Sequence, residues 1–179
     1  MKKVTISMLL ISCILLLQLK KQNQDSQKGF LHNEMAELES YFKFKDSLNK
    51  GVSKATVAWH LDHSIRTINE IYKAVKNSDP DKFKGSIHLG RSFILLTNRI
   101  PRGGAQSPKI VRPPNIIRTD SLYIYLKEAK QRLIAYDSLP KRAFFKHPYL
   151  GSLKKKTAKR FLEIHTEHHL KIIRDILKK

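Results

Sequence analysis

Cysteine is almost missing from this chain. Cys13 is the single thiol among 179 residues, so neither a disulfide framework nor a cysteine-based zinc site can be built. The seven glycines form no phosphate loop and no dinucleotide fingerprint, which removes the common nucleotide-binding readings. No stretch alternates apolar and polar residues long enough to read as a strand, and no internal repeat is visible. Acidic residues are few, 15 against 35 lysines and arginines, giving a formal charge of +20. An excess of that size attracts anions: phospholipid, nucleic acid or an acidic small molecule. A solvated basic surface would show the same balance.

The first residues stand apart from the rest. Met1-Lys2-Lys3 precedes an apolar run from Val4 to Leu19, closed by Lys20-Lys21, which reads as a signal peptide or a short membrane anchor over 1–21. Leu10-Ile11-Ser12-Cys13 fits a lipoprotein cleavage box. Yet Ile14 to Leu17 stay hydrophobic and no Ala-x-Ala site follows, which favours an uncleaved anchor. Lysine pairs at both ends leave orientation open, because the positive-inside rule needs an asymmetry. Residues 22–29 are polar and read as a linker, and 30–179 as one helical domain with length enough to bury a core.

Within that domain Asn33 can cap a first helix whose apolar side is Met35, Leu38 and Phe42, ending near Lys45. A second helix opens at Ser53 and runs to about Lys76, before Asn77-Ser78-Asp79-Pro80. Its seam is Val57, His60, Ser64, Ile68, Ile71 and Val75. Ile87 to Arg99 reads as a buried third helix. From Ile100 to Arg118, Pro101, Gly103, Gly104, Pro108, Pro113 and Pro114 break all periodicity, leaving a long loop that carries Arg102, Lys109, Arg112 and Arg118 and no acid. Thr119-Asp120 start a helix striped by Leu122, Leu126, Ala129, Leu133 and Tyr136. An apolar turn, Phe144 to Leu153, leads into a last helix over Thr157 to Leu177, with Lys154, Lys155, Lys156, Lys159 and Arg160 crowding its start. There the macrodipole disfavours cations, so they either face solvent or serve an anion. The architecture expected is all-α, four or five helices around one core.

The last helix carries the chemistry. Ala158, Leu162, His165, His169, Ile172 and Ile176 recur at steps of four and three, the seam of a core-facing helix, and two of the six are histidines. Imidazoles four apart stand one above the other and can reach a single ion. On the second helix, Trp59-His60-Leu61-Asp62-His63 offers two further rings; about 100° per residue puts His60 at the edge of the apolar face and sends His63 nearly to the opposite side. His60, His165 and His169 therefore form the expected ligand set, with His168 off the seam. Burying three imidazoles without charge partners is costly unless a metal or a polar network satisfies them. Three histidines leave positions open on a divalent zinc, nickel, iron or copper ion, as in catalytic rather than structural sites. Because no Glu directly follows His165, the pattern is not that of the metalloproteases.

Trp59-His60-Leu61-Asp62-His63-Ser64-Ile65, His147-Pro148-Tyr149-Leu150-Gly151 and His165-Thr166-Glu167-His168-His169-Leu170 together resemble the DinB/YfiT superfamily. The likeness is nearest to a family of unknown function within it, with a His-Pro-aromatic-x-Gly turn and a doubled histidine. It spans roughly Phe30 to the end. It implies a DinB-like four-helix bundle holding a divalent metal through one histidine of the second helix and a His-x-x-x-His pair of the last, here by position His60, His165 and His169. Many relatives have glutamine three residues past that pair, where this chain has Ile172. Better-studied members are metal-dependent thiol transferases, isomerases and related enzymes, which implies a low-molecular-weight thiol as a partner.

Two functions from different classes follow. One is a metal-dependent enzyme, a transferase or hydrolase acting on a small anionic or thiol-containing substrate that Arg102, Lys109 and Arg112 of the basic loop would hold. The other is a non-catalytic, membrane-tethered metal- or ligand-binding module; a pocket open above the ion favours the first and a sealed site the second. Expected partners are that small molecule and, through 1–21, the membrane of a bacterial envelope, whether the chain is anchored there or extracytoplasmic. Nucleic acid is disfavoured, and a homodimer stays open.

Overall fold

The computed structural model describes residues 29–85, 87–103 and 106–178. The expected anchor at 1–21 lies outside them, and no described helix is long and apolar enough to cross a membrane. Five helices appear among the described residues: α1 His32–Ser40, α2 Val57–Lys76, α3 Leu89–Thr97, α4 Thr119–Ala135 and α5 Lys155–Leu177. Between α4 and α5 stands a two-stranded antiparallel hairpin, β1 Phe144–His147 and β2 Gly151–Lys154, in register Phe144 with Lys154 and His147 with Gly151.

The centre of the domain is α2, which packs most extensively on α4 and α5, while α1 closes against that same pair. Thirteen of its twenty residues are buried, including Asp62, His63, Ser64, Thr67 and Asn69, so it has no solvent face over its first three turns. Its cap is Thr56, whose Oγ1 accepts the Trp59 N–H at 3.4 Å. The expected cap, Ser53, instead puts its Oγ 2.9 Å from His60 Nε2. Asn33 does not cap α1 either: Leu31 takes that position at φ 65°, with its carbonyl accepting the Met35 N–H at 2.8 Å and its side chain buried. Apolar burial, not a side-chain hydrogen bond, holds that start.

The stripes of α4 and α5 are as the periodicity predicts. Leu122, Leu126, Ala129, Leu133 and Tyr136 are buried, and so are all six seam positions of α5. Two of the cations at the start of α5, Lys155 and Lys159, are held by the turn after α4. Lys155 Nζ donates to the carbonyls of Asp137 and Leu139 at 2.9 and 2.6 Å, and Lys159 Nζ pairs with the Asp137 carboxylate at 2.9 Å. They tie the end of α4's trailing turn to α5.

Two expectations fail in instructive ways. The third helix is not buried: of α3 only Ile94 is, while Leu89 and Leu96 are 83% and 82% exposed. The segment read as a plain turn is the hairpin, in which Phe145 and Leu153 face each other and sink into the core. Four-residue strands are too short for alternation to register. Gly151 opens β2 at φ 72°, a conformation that a side chain disfavours, which gives the glycine of the His-Pro-Tyr-Leu-Gly stretch a physical reason.

Candidate metal centre

Three buried histidines, His63 from α2 and His165 and His169 from α5, bring one ring nitrogen each within 4.8 Å of one another. Nitrogens bound at zinc-like distances to a tetrahedral ion stand about 3.4 Å apart, so the rings need close by about an ångström to hold one. The pair on α5 is the pair the seam predicts. The third ring of this group is that of His63, where the sequence points to His60.

His63 enters because residues three apart on a helix lie only about 60° apart, so His60 and His63 are neighbours on one flank of α2. The loop after α3 then roofs that flank with a short turn, Lys109–Val111, and buries a side that the apolar stripe alone assigns to solvent. The carbonyl of Val111 lies 2.9 Å from His63 Nδ1. A carbonyl only accepts, so Nδ1 carries the proton and Nε2 keeps its lone pair, the tautomer a ligating imidazole requires. Trp59 stacks on the same ring, 4.8 Å between centroids and 21° between planes, fixing its tilt.

His60 serves a different end. Its Nδ1 is 3.0 Å from His169 Nδ1 and its Nε2 is 2.9 Å from Ser53 Oγ, so both ring nitrogens are already engaged. The chain runs in either sense: when His60 Nε2–H donates to Ser53, His60 Nδ1 accepts from His169 Nδ1–H and His169 keeps a lone pair on Nε2, and when Ser53 donates the direction reverses. His60 thus orients the His169 ring. His165 has the opposite signature: its Nδ1 is buried without any hydrogen-bond partner. A buried nitrogen without a partner, in a ring that closes with two others, fits a metal.

Electrostatics agree with that chemistry. Burial, reinforced by the surrounding histidines, pushes His165 and His169 well below the ordinary imidazole value. Burial also lowers His63, against the opposing pull of the Val111 bond and Asp62. His60 and His168 both fall to about 4, burial first, then His63 for the one and Arg102 for the other. At neutral pH the cluster is uncharged, as metal ligation demands.

Above the three rings opens a cavity of about 340 Å³, walled by Trp59, Ile94, Tyr149, Phe161, His147 and His168 among others. A second, of about 200 Å³, reaches His63 and His165 from the side of Thr67 and Phe145. His147 borders both, and the sequence does not single it out as a site residue. Its Nδ1 accepts the Tyr149 N–H at 3.0 Å, which places its proton on Nε2, and burial, with His88 nearby, lowers it to about 4. It is a neutral hydrogen-bond donor in the cavity wall.

The three basic-loop side chains expected to hold an anion are directed away from these cavities. Arg102 pairs with Asp175 at 2.5 Å, Arg112 donates to the Ser107 carbonyl at 3.0 Å, and Lys109 points out of the fold. Among the described residues none of the three lines either cavity, and the larger one has no charged side chain in its wall.

No family model, curated protein or solved structure matches this chain.

Proposed function

We propose that the protein binds one divalent transition metal through His63, His165 and His169, inside a DinB-like bundle made by α1, α2, α4 and α5, and uses it to transform a small molecule taken into the cavity above. The observation that carries this reading is the Val111 carbonyl on His63 Nδ1, 2.9 Å away. A core histidine needs no particular tautomer, whereas a ligand does. An ion there supplies a Lewis acid with coordination positions left over. Around it this chain's own residues hold and orient: Trp59 and Phe161 enclose an apolar ligand portion, and His147 Nε2–H donates to an oxygen or sulfur beside the rings. A neutral, largely apolar wall suits a thiol-bearing or uncharged substrate better than a small multiply charged anion, since the loop cations are turned elsewhere.

The cavity extends past exposed residues such as Gly103, Gln106 and Tyr149 to the surface, which favours a metal-dependent transferase or hydrolase over the sealed, non-catalytic module. The run at 1–21 would hold the domain at a membrane. Metal analysis of purified protein tests the assignment. About one ion per chain is expected in the native protein and almost none in His63→Ala, while His60→Ala still loads but binds about 10–100-fold more weakly. A His60→Ala protein without metal, beside a fully loaded His63→Ala protein, would overturn it.

A further inference from the structure

The outer face of α3 is apolar without a partner. Leu89, Phe93 and Leu96 follow one another at steps of four and three, forming a single stripe, and are 83%, 51% and 82% exposed; Ile87 just before them is 95% exposed. Scattered exposed apolar side chains need no explanation, but a stripe on one helix does. Its surroundings say what would cover it. From Lys82 to Thr119 the chain has eight lysines and arginines and no acidic residue, within a protein of charge +20. Ile110 and Ile116, 70% and 81% exposed, lie in the same acid-free segment. Of the eight cations, Lys82, Arg102 and Arg118 pair with Asp79, Asp175 and Asp120, while Lys84 and Arg99 flank α3 in sequence; apolar residues edged by such cations are complementary to a bilayer whose headgroups are anionic.

We propose that this face, α3 with its flanking cations Lys84 and Arg99, docks on an anionic lipid surface. A tether at the amino terminus and a docked face would be two separate attachments, the combination that converts weak into stable membrane residence. Ile94, on the opposite, buried side of α3, lines the metal cavity together with Ile100 and Pro101, so the docked stripe is the outer surface of a helix whose inner side walls that cavity.

The test uses the full chain with Cys13→Ser and Leu96→Cys, labelled at residue 96 with an environment-sensitive fluorophore; a second protein carries the label at Lys127→Cys, exposed on α4. Vesicles of phosphatidylcholine alone are compared with vesicles containing about one third phosphatidylglycerol. The label at 96 is expected to shift to the blue on anionic vesicles, with no matching shift at 127. Each cation at such a surface multiplies binding by about fivefold, so Lys84→Glu with Arg99→Glu lowers the apparent partition by more than about tenfold. An unchanged spectrum at 96 overturns the proposal, as do equal shifts at both positions, which would report tethering alone. A blue shift without vesicles that grows with protein concentration also overturns it, showing a second copy on the face. Metal content measured on the same samples separates the two readings: docking with an empty site upholds the lipid-facing stripe and overturns only the three-histidine reading.

Discussion

The α5 seam and the α3 stripe depart from the usual partition of polar and apolar groups in opposite directions. On α5 two imidazoles occupy core positions between Leu162 and Ile172, and on α3 three large apolar side chains stand in water around a single buried Ile94. Neither arrangement helps the isolated chain to fold. Neutral rings with an unsatisfied nitrogen cost free energy inside, and exposed leucine and phenylalanine gain none outside. Where a sequence keeps such positions, the missing stabilisation is sought in something that binds, and the binders proposed above differ: an ion for one and a lipid surface for the other.

The comparison can be pressed by substitution. Leu162→Ala, beside the rings and fully buried, is expected to cost about 2–5 kcal/mol of stability, read as a lower Tm and denaturation midpoint. His165→Leu is expected to do the reverse in metal-free protein. Removing a buried nitrogen without a partner recovers about 1–3 kcal/mol, while the stabilisation conferred by added metal disappears. If His165→Leu instead lowers the Tm of metal-free protein as Leu162→Ala does, the histidine is a packing residue.

Acid gives a third measure. His60, His147 and His168 titrate near 4 in the fold against 6.5 when free, so between those values the unfolded chain binds more protons than the native one. Metal-free stability is therefore expected to be level above about pH 7 and to fall as pH drops from 6.5 towards 4, followed by denaturant melts at each pH. The smallest effect belongs to the outer stripe: Leu96→Ser changes stability by less than about 0.5 kcal/mol, since the side chain already stands in water. A larger loss would mean that α3 packs in solution against something it does not touch here.

These regions also mark where sequence reasoning reaches and where it stops. The seam of α5 was legible because heptad-like spacing depends on one helix alone, and the same holds for the Leu122 to Tyr136 stripe of α4. His63 was not, because its burial comes from Val111, 48 residues away along an aperiodic loop. A stripe analysis assumes one buried face, and α2 is covered nearly all round. His147 was hidden by the shortness of its strand, whose pairing with Gly151 turns the ring towards the cavities. For α3 the helix was legible in its run of apolar residues and its exposure was not, since a succession such as Phe93 to Leu96 does not say whether a core covers it.

Arg91 has a consequence for what the cavity admits. Its Nη1 donates to the carbonyls of Leu150 and Ser152 at 3.3 and 2.9 Å, strapping α3 to the tip and second strand of the hairpin. Helix and hairpin tip are thereby braced together where Ile94, Tyr149 and Leu150 line the cavity, so the bore on the Arg91 side acts as a gauge of molecular breadth.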